Sequence, residues 1–478
     1  MSVLEILDNN IEKRRKLTFP ITVSDLNETQ LRAVKSAENN ILTSVSGCPG
    51  SGKTHLIVNV IMDYLAKGKK VIVVSKMDAA VDVVYDKLNK LGIPCLALRG
   101  GKHDEAIKTS SMIMDILENK VKFEKKKSNK IKAYFSKEGA IDYIREKRRK
   151  TIEELMNDSE KRKTLITVAK ACLTKNRQKR NAILSKVDFD VVLSAFPVYL
   201  CTSAEVSNLL PLKKDMYDCA IVEESSACDI ASIIPIMARS KAMIAIGDKF
   251  QLSPVLFMDA KKEKSFAVKH EIPEDLQLTF NYRTNSFFDF AMYYCQEHIL
   301  LNKQYRMPSN MFAFSNKKWY GNVIESEKQD VKGAISKVYI ESKKRNDKKT
   351  INEEQANEII KKIKEEIKKD EFKTISVLSP FRTQCEYIKK RIIEEIPYNE
   401  IEKHEIRVGT SHEMQGSETD LLLVSWCVTP DMHHACLNFI NQDRVLNVGI
   451  SRGKEQIINY YSTIGKGLIA EYLGSIEE

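Results

Sequence analysis

The chain has 478 residues, 43% hydrophobic and 29% charged. That composition fits a globular protein, with length for two or three domains, each with its own core. It offers no apolar run near the roughly 20 residues of a membrane span, no secretory-signal stretch and no C-x-x-C pair among ten cysteines, which speaks against a disulfide framework or zinc site and for a reduced, intracellular, cytoplasmic protein.

Residues 1–24 predict a short amphipathic helix and linker broken at Pro20. The apolar run Asn40 to Val45 predicts a buried strand, and Leu56, Val60, Ile61, Tyr64 and Leu65 recur at helical spacing through Thr54 to Ala66. Between them stands Gly47-Cys48-Pro49-Gly50-Ser51-Gly52-Lys53-Thr54, which reads G-x-x-x-x-G-K-T. In the order strand, loop, helix, this is a phosphate-binding loop: glycines let backbone N–H groups face phosphate oxygens at a helix N-terminus. Lys53 can then neutralise the β- and γ-phosphates of a nucleotide, and Thr54 can hold Mg²⁺ through its hydroxyl.

Val71 to Ser75 predicts a second strand, Ala79 to Leu91 a helix and Cys95 to Leu98 a third strand. From about 105 to 187 strand signals vanish, and the pattern is of long charged helices. Residues 102–186 carry 24 Lys+Arg against 12 Asp+Glu, and this local excess accounts for the whole net charge of +11. It fits either a polyanionic partner such as nucleic acid or a solvated helical hairpin; Arg145 to Lys150 is its densest cluster. Strands resume at Val191 to Ser194, Val198 to Cys201, Ala220 to Val222 and Ala242 to Ile246. Alternation of strand and helix predicts a parallel sheet covered by helices. The boundaries expected are 25–104 with 188–298 for a first α/β domain, 105–187 for a basic helical insertion within it, and 299–478 for a second α/β domain. The second domain's strands fall at Ala334 to Ile340, Thr374 to Leu378, Ile406 to Val408, Leu421 to Ser425 and Gln456 to Tyr461, with a long helix Asn352 to Lys369. Glu341 to Lys349 reads as an exposed Lys-rich loop. His433, His434 and Cys436 lie close together but have no complementary cluster, so no metal site is expected there.

The remaining motifs narrow the chemistry. Asp218 to Glu224 is an apolar strand ending in two carboxylates, as needed for one near a metal and one to activate water. Gly247-Asp248-Lys249-Phe250-Gln251-Leu252-Ser253-Pro254 follows the next strand. Gln304-Tyr305-Arg306-Met307-Pro308, Gln415-Gly416-Ser417-Glu418 and Arg444 to Gly453 complete the ordered set. Together with Leu26 to Gln30 they resemble the motifs of superfamily 1 helicases, most nearly the subgroup of the nonsense-mediated-decay RNA helicase and its bacterial relatives.

That resemblance implies two RecA-like P-loop domains with parallel sheets. It implies ATP and Mg²⁺ as cofactors and single-stranded DNA or RNA as partner, with 5′-to-3′ movement. By position, Gln30 reads adenine and Tyr305 packs on it. Gly47, Pro49, Gly50, Ser51, Gly52, Lys53 and Thr54 hold phosphates, Glu223 and Thr54 the metal. Glu224 activates water, Gln251 couples the γ-phosphate to the nucleic-acid site, Arg306 and Arg452 act as arginine fingers, and Glu418 contacts the ribose or its surroundings. Nucleic-acid contacts fall at Ser75, Thr202, Ser203, Pro380, Arg382, Thr410 and His412, through hydroxyl and backbone groups.

The chain departs from the family where D-E-A-S-Q becomes Glu223-Glu224-Ser225-Ser226-Ala227. The longer Glu223 arm and the missing Gln at Ala227 leave an alternative open: an ATP-switched clamp on nucleic acid or protein, with slow turnover. The short leader before the first motif leads one to expect no N-terminal β-barrel of the kind some relatives carry, with the insertion substituting for it or docking a protein partner.

Overall fold

The structure is a computed structural model that describes residues 19–101, 103–124, 128–254, 258–342, 350–428, 432–463 and 466–476. Most of the expected N-terminal helix and most of the Glu341–Lys349 loop lie outside these residues. The chain forms two compact units, the first running to Leu301 and the second from Asn302, with the short segments Cys48–Ser51 and Phe250–Leu252 grouping with the second.

The first unit is built on seven strands: β1 (Leu42–Gly47), β2 (Val71–Ser75), β3 (Ala97–Arg99), β4 (Val198–Thr202), β5 (Cys219–Glu223), β6 (Met243–Gly247) and β7 (Glu297–Leu301). They lie in the order β3-β4-β2-β5-β6-β1-β7, and every pairing is parallel. β2, β4, β5 and β6 are buried along their whole length, which is why they read as near-continuous apolar runs. β7 escapes that reading. Its burial alternates at the sheet edge, and it carries the first unit past residue 298 to Leu301.

The helices of this unit begin with α1 (Glu28–Asn39), α2 (Lys53–Ala66) and α3 (Asp78–Asn89). α1 opens on a capping box, in which Asn27 Oδ1 accepts from Gln30 N at 2.8 Å and Gln30 Oε1 accepts from Asn27 N at 3.2 Å. α2 is buried from Leu56 to Ala66 on all sides, as a central helix against the sheet must be.

Between β3 and β4, which pair directly, the described residues make an excursion of six helices, of which the first five are α4 (His103–Leu117), α5 (Lys130–Phe135), α6 (Lys137–Asn157), α7 (Ser159–Cys172) and α8 (Arg177–Leu184). α4 and α7 share a core of Ile113, Ile116, Leu165 and Val168, and Ser110 Oγ donates to Ala169 O at 3.0 Å. The expected strand Val191–Ser194 is instead part of helix α9 (Phe189–Ala195), begun by Asp188, whose carboxylate accepts from Asp190 N. A four-residue apolar run does not separate a strand from a buried helix; the capping aspartate decides it.

The second unit carries a five-stranded parallel sheet in the order β10-β14-β13-β11-β12. Its strands are β10 (Ile335–Tyr339), β11 (Ile375–Leu378), β12 (Arg407–Gly409), β13 (Thr419–Ser425) and β14 (Gly453–Tyr461); a separate pair, β8 (Lys303–Pro308) and β9 (Glu325–Lys328), precedes them. The helix Glu353–Lys369 covers one face with Ala356, Ile359, Ile360 and Ile363. No helix among the described residues is long and apolar enough to cross a membrane. All ten cysteines are free thiols.

Candidate nucleotide and nucleic-acid sites

In a parallel sheet the loops leaving the carboxyl ends of the strands gather on one edge, and ligands bind there. Strands β1, β5 and β6 of the first unit lead into the phosphate loop, the carboxylate pair and the Gly247–Pro254 segment. The sheet order makes β5, β6 and β1 neighbours, so three motifs far apart in sequence reach one edge of one sheet.

The loop is a tight left-handed curl. Gly50 and Gly52 both sit at φ +81°, and Gly52 caps α2. A Cβ on Gly52 would fall 2.7 Å from Gln30 Nε2, so glycine is required there by both backbone and neighbour. The same contact places the Gln30 amide beside the phosphate loop. Lys53 Nζ arches back to donate to Gly47 O at 3.0 Å, and Thr54 lies in the first turn of α2.

Glu223 and Glu224 are each about nineteen-twentieths buried, and one carboxylate oxygen of each (Oε2) has no hydrogen-bond partner. Glu224 has a left-handed backbone, φ +51°, strain of the kind that persists where the surroundings impose it. Burial, joined by the charge of Glu224, pushes the Glu223 carboxyl well above its ordinary value, and Lys53 only partly offsets this. Ser225 Oγ donates to Ile246 O at 2.8 Å, tying the turn after β5 to β6. A Cβ on Gly247 would fall 2.7 Å from that hydroxyl. Gln251 is buried.

The candidate strand contacts of this unit occupy the adjoining half of the edge. Ser75 and Thr202 are register partners at the ends of β2 and β4, and Ser203 Oγ is buried without a partner. Ser75 is also the register partner of Glu223 across β2 and β5. Sequence reasoning missed the residue that ties these loops together. Arg99, at the end of β3 and 6% exposed, meets Asp78 at 2.6 Å, Asp82 at 2.8 Å and Glu205 at 3.7 Å. Asp78 and Asp82 belong to α3, just after Ser75, and the Glu205 carboxylate caps Thr202 N at 2.9 Å. The signal was there to find, in an arginine at the end of an apolar strand followed by Gly100-Gly101.

In the second unit, Arg306 Nε meets Glu418 at 3.0 Å and its Nη1 donates to Ser451 O at 3.0 Å. Arg452 is buried, with Nε on Val448 O at 2.9 Å and Nη1 on Ser417 O at 3.2 Å. The motifs containing Arg306, Glu418 and Arg452 therefore meet, although well over a hundred residues separate the first from the last. Tyr305 is 41% exposed. β11 and β12 pair in register Leu378 to Gly409, so Pro380 and Arg382 leave one strand end beside Thr410 and His412 leaving the next. The Arg382 side chain is exposed and bonds Glu386 at 2.9 Å.

The Arg145–Lys150 cluster is not the solvent-facing basic surface its sequence suggests. Arg148 is buried and donates to Cys95 O at 3.3 Å, to Ser194 O at 2.9 Å and to Ala195 O. Lys147 donates to Ala66 O at 3.1 Å. Arg145 pairs with Asp142, and Arg149 with Glu146 and Glu153. The exposed basic surface with apolar side chains sits instead on α5, where Ile131 and Phe135 are 68% and 83% exposed beside Lys130 and Lys132.

Residues 25–259 match a family model described as an AAA domain, and residues 282–460 match a second model with the same description. The second match begins inside Asn281-Tyr282-Arg283, the earlier of two similar triplets; the later one is Gln304-Tyr305-Arg306. An uncharacterized ATP-dependent helicase of Methanocaldococcus jannaschii is 23% identical over 91% of this chain and 67% of its own. The DNA polymerase alpha-associated DNA helicase A of Schizosaccharomyces pombe is 24% identical over 91% of this chain and 63% of its own. A regulator of nonsense transcripts 1 homolog of Neurospora crassa is 23% identical over 95% of this chain and 39% of its own. The chain thus spans about two thirds or less of the length of these relatives. With its ordered motifs, two parallel-sheet units and both domain matches, the chain belongs to the superfamily 1 helicases.

Proposed function

We propose that the chain hydrolyses ATP to move along, or unwind, single-stranded DNA or RNA, in the 5′-to-3′ direction. The observation that carries this reading is the pairing of Ser75 with Glu223 on adjacent strands. It puts a candidate strand contact next to the metal-side carboxylate on one rigid sheet, so a change at the phosphates is felt where the strand would lie.

The residues of the phosphate edge fit a magnesium nucleotide. Two glycines at positive φ open a nest of N–H groups, and two buried carboxylates offer unpartnered oxygens. Thr54 and Glu223 would hold Mg²⁺, which when bound neutralises phosphate charge. Lys53 leaves Gly47 O for phosphate oxygens. Glu224 orients water and accepts its proton. Arg306 and Arg452 supply positive charge to the transition state. Gln30 and Tyr305 take the base, Glu418 the ribose, and Gln251 reports the γ-phosphate.

A second reading, a clamp with slow turnover, is favoured by one observation: the Glu223 carboxyl is buried and pushed up, so it must lose a proton before it serves a metal. Unwinding of duplexes with a 5′ or a 3′ single-stranded tail, by the wild type and Glu224→Gln, separates the readings. A motor unwinds the 5′-tailed duplex and the variant does not; a clamp unwinds neither, and the variant binds strand and nucleotide as the wild type does.

A further inference from the structure

The insertion and the edge of the first sheet enclose a cavity of about 50 Å³, remote in sequence from every nucleotide motif. Its walls are largely apolar, with Leu98 from β3, Val168 from α7, Leu184 from α8 and Phe189 from α9, and the main chain of Gly101 forms one side. Two arginines reach it, and they differ. Arg99 is met by three carboxylates. Arg180, on α8, is only 7% exposed, its Nε has no hydrogen-bond partner, and no carboxylate among the described residues pairs with it. Cys172, which also lines the cavity, gives no counter-charge: burial pushes its thiol up to about 11.

A guanidinium nitrogen taken from water with neither an acceptor nor an anion beside it is costly, and chains seldom retain one without use. We propose that this cavity binds a small organic carboxylate, its charged end on Arg180 and its short alkyl body against Leu98, Val168, Leu184 and Phe189. The size follows from the volume: at roughly 10–15 Å³ per water-sized group, the space takes about three to five such groups, the dimensions of acetate or propionate. An inorganic phosphate would bring more oxygens than an apolar chamber with one unpaired guanidinium can satisfy. Because Arg99 lines the same cavity and ties the loops after β2 and β4, occupancy would bear on the strand site from behind.

The experiment is isothermal titration calorimetry and thermal unfolding of the full chain at fixed pH and ionic strength. The probes are propionate, its neutral isostere propionamide, inorganic phosphate and chloride. The expected result is saturable binding of propionate that raises Tm, with propionamide and phosphate at least tenfold weaker and chloride inert. Arg180→Met is expected to lose propionate binding and, free of ligand, to unfold no lower than the wild type, since methionine removes a buried charge without opening a void. Saturable propionate binding that survives Arg180→Met, or equal binding of propionamide, overturns the proposal. So does a wild type that propionate fails to saturate, in which case water alone solvates the guanidinium. A variant that unfolds far below the wild type also overturns it, by showing that Arg180 has partners inside the fold.

Discussion

Arg148→Met tests whether the basic cluster of the insertion serves the fold or a nucleic acid. Methionine replaces most of the arginine stem but removes every donor. Three main-chain carbonyls, of Cys95, Ser194 and Ala195, lose their charged donor. Leaving a buried acceptor unmet costs about 1–3 kcal/mol, so the gross loss is roughly 3–9 kcal/mol. Relief of a desolvated cation returns several kcal/mol of that, because burial already pulls this guanidinium down to about 10. The net expectation is a first unit weakened by roughly 2–4 kcal/mol. The loss should fall on the segments Arg148 joins: α6, the turn at Cys95, held at φ +55°, and the end of α9. Both tryptophans, Trp319 and Trp426, lie in the second unit, so fluorescence would miss the change. Hydrogen exchange read by mass spectrometry is the assay, with reduced protection expected over residues 137–157 and 189–202. The salt dependence of single-strand affinity should stay as in the wild type. Unchanged protection, together with a salt slope shallower by about one phosphate contact, would refute the reasoning and return Arg148 to the strand.

Other expectations follow from the same contacts. Arg99→Met frees the loops carrying Ser75 and Thr202; single-strand affinity should fall at least tenfold while strand-free ATP turnover changes less than twofold, measured by fluorescence anisotropy and a coupled ATPase assay. The Glu223 carboxyl sits above its ordinary 4.5, so the fold prefers it protonated. Its penalty is absent below 4.5 and grows as pH rises toward the folded value. Nucleotide-free Glu223→Gln should therefore match the wild type in acid and exceed its unfolding midpoint at neutral pH. Phe135→Ala, with little to lose in the core, should weaken binding of single strands by about 1–3 kcal/mol if α5 stacks on bases, at unchanged thermal stability. Equal affinity would remove α5 from the strand's path.

Much of this architecture could be read along the chain because parallel strands covered on both faces are apolar runs, and because phosphate chemistry demands glycine, lysine and hydroxyl at fixed spacing. β2, β4, β5, β6, β11 and β13 stood out for the first reason, and the Gly47–Thr54 loop for the second. Edge strand β7 did not, since Glu297 and His298 break its pattern where only one side is covered. Helix α6 misled for a different reason. Ile144, Arg148, Ile152 and Leu155 form its buried stripe at spacings of three and four, and an arginine within an apolar stripe is an inward-facing group rather than part of a basic surface. The run Arg145–Lys150 hides that periodicity because adjacent residues on a helix point about 100° apart. The Arg99 ion pairs were illegible as contacts, since they join α3, β3 and the turn after β4, which only the sheet order brings together.

The central claim is that nucleotide chemistry at the edge of the first sheet is coupled to a nucleic-acid strand. Its most direct test is ATP turnover by the wild type and Lys53→Ala, each alone and with single-stranded DNA or single-stranded RNA. The account predicts turnover stimulated at least tenfold by one of the two polymers and abolished in the variant, which would also name the track. Turnover indifferent to both polymers, or surviving in Lys53→Ala, would contradict it.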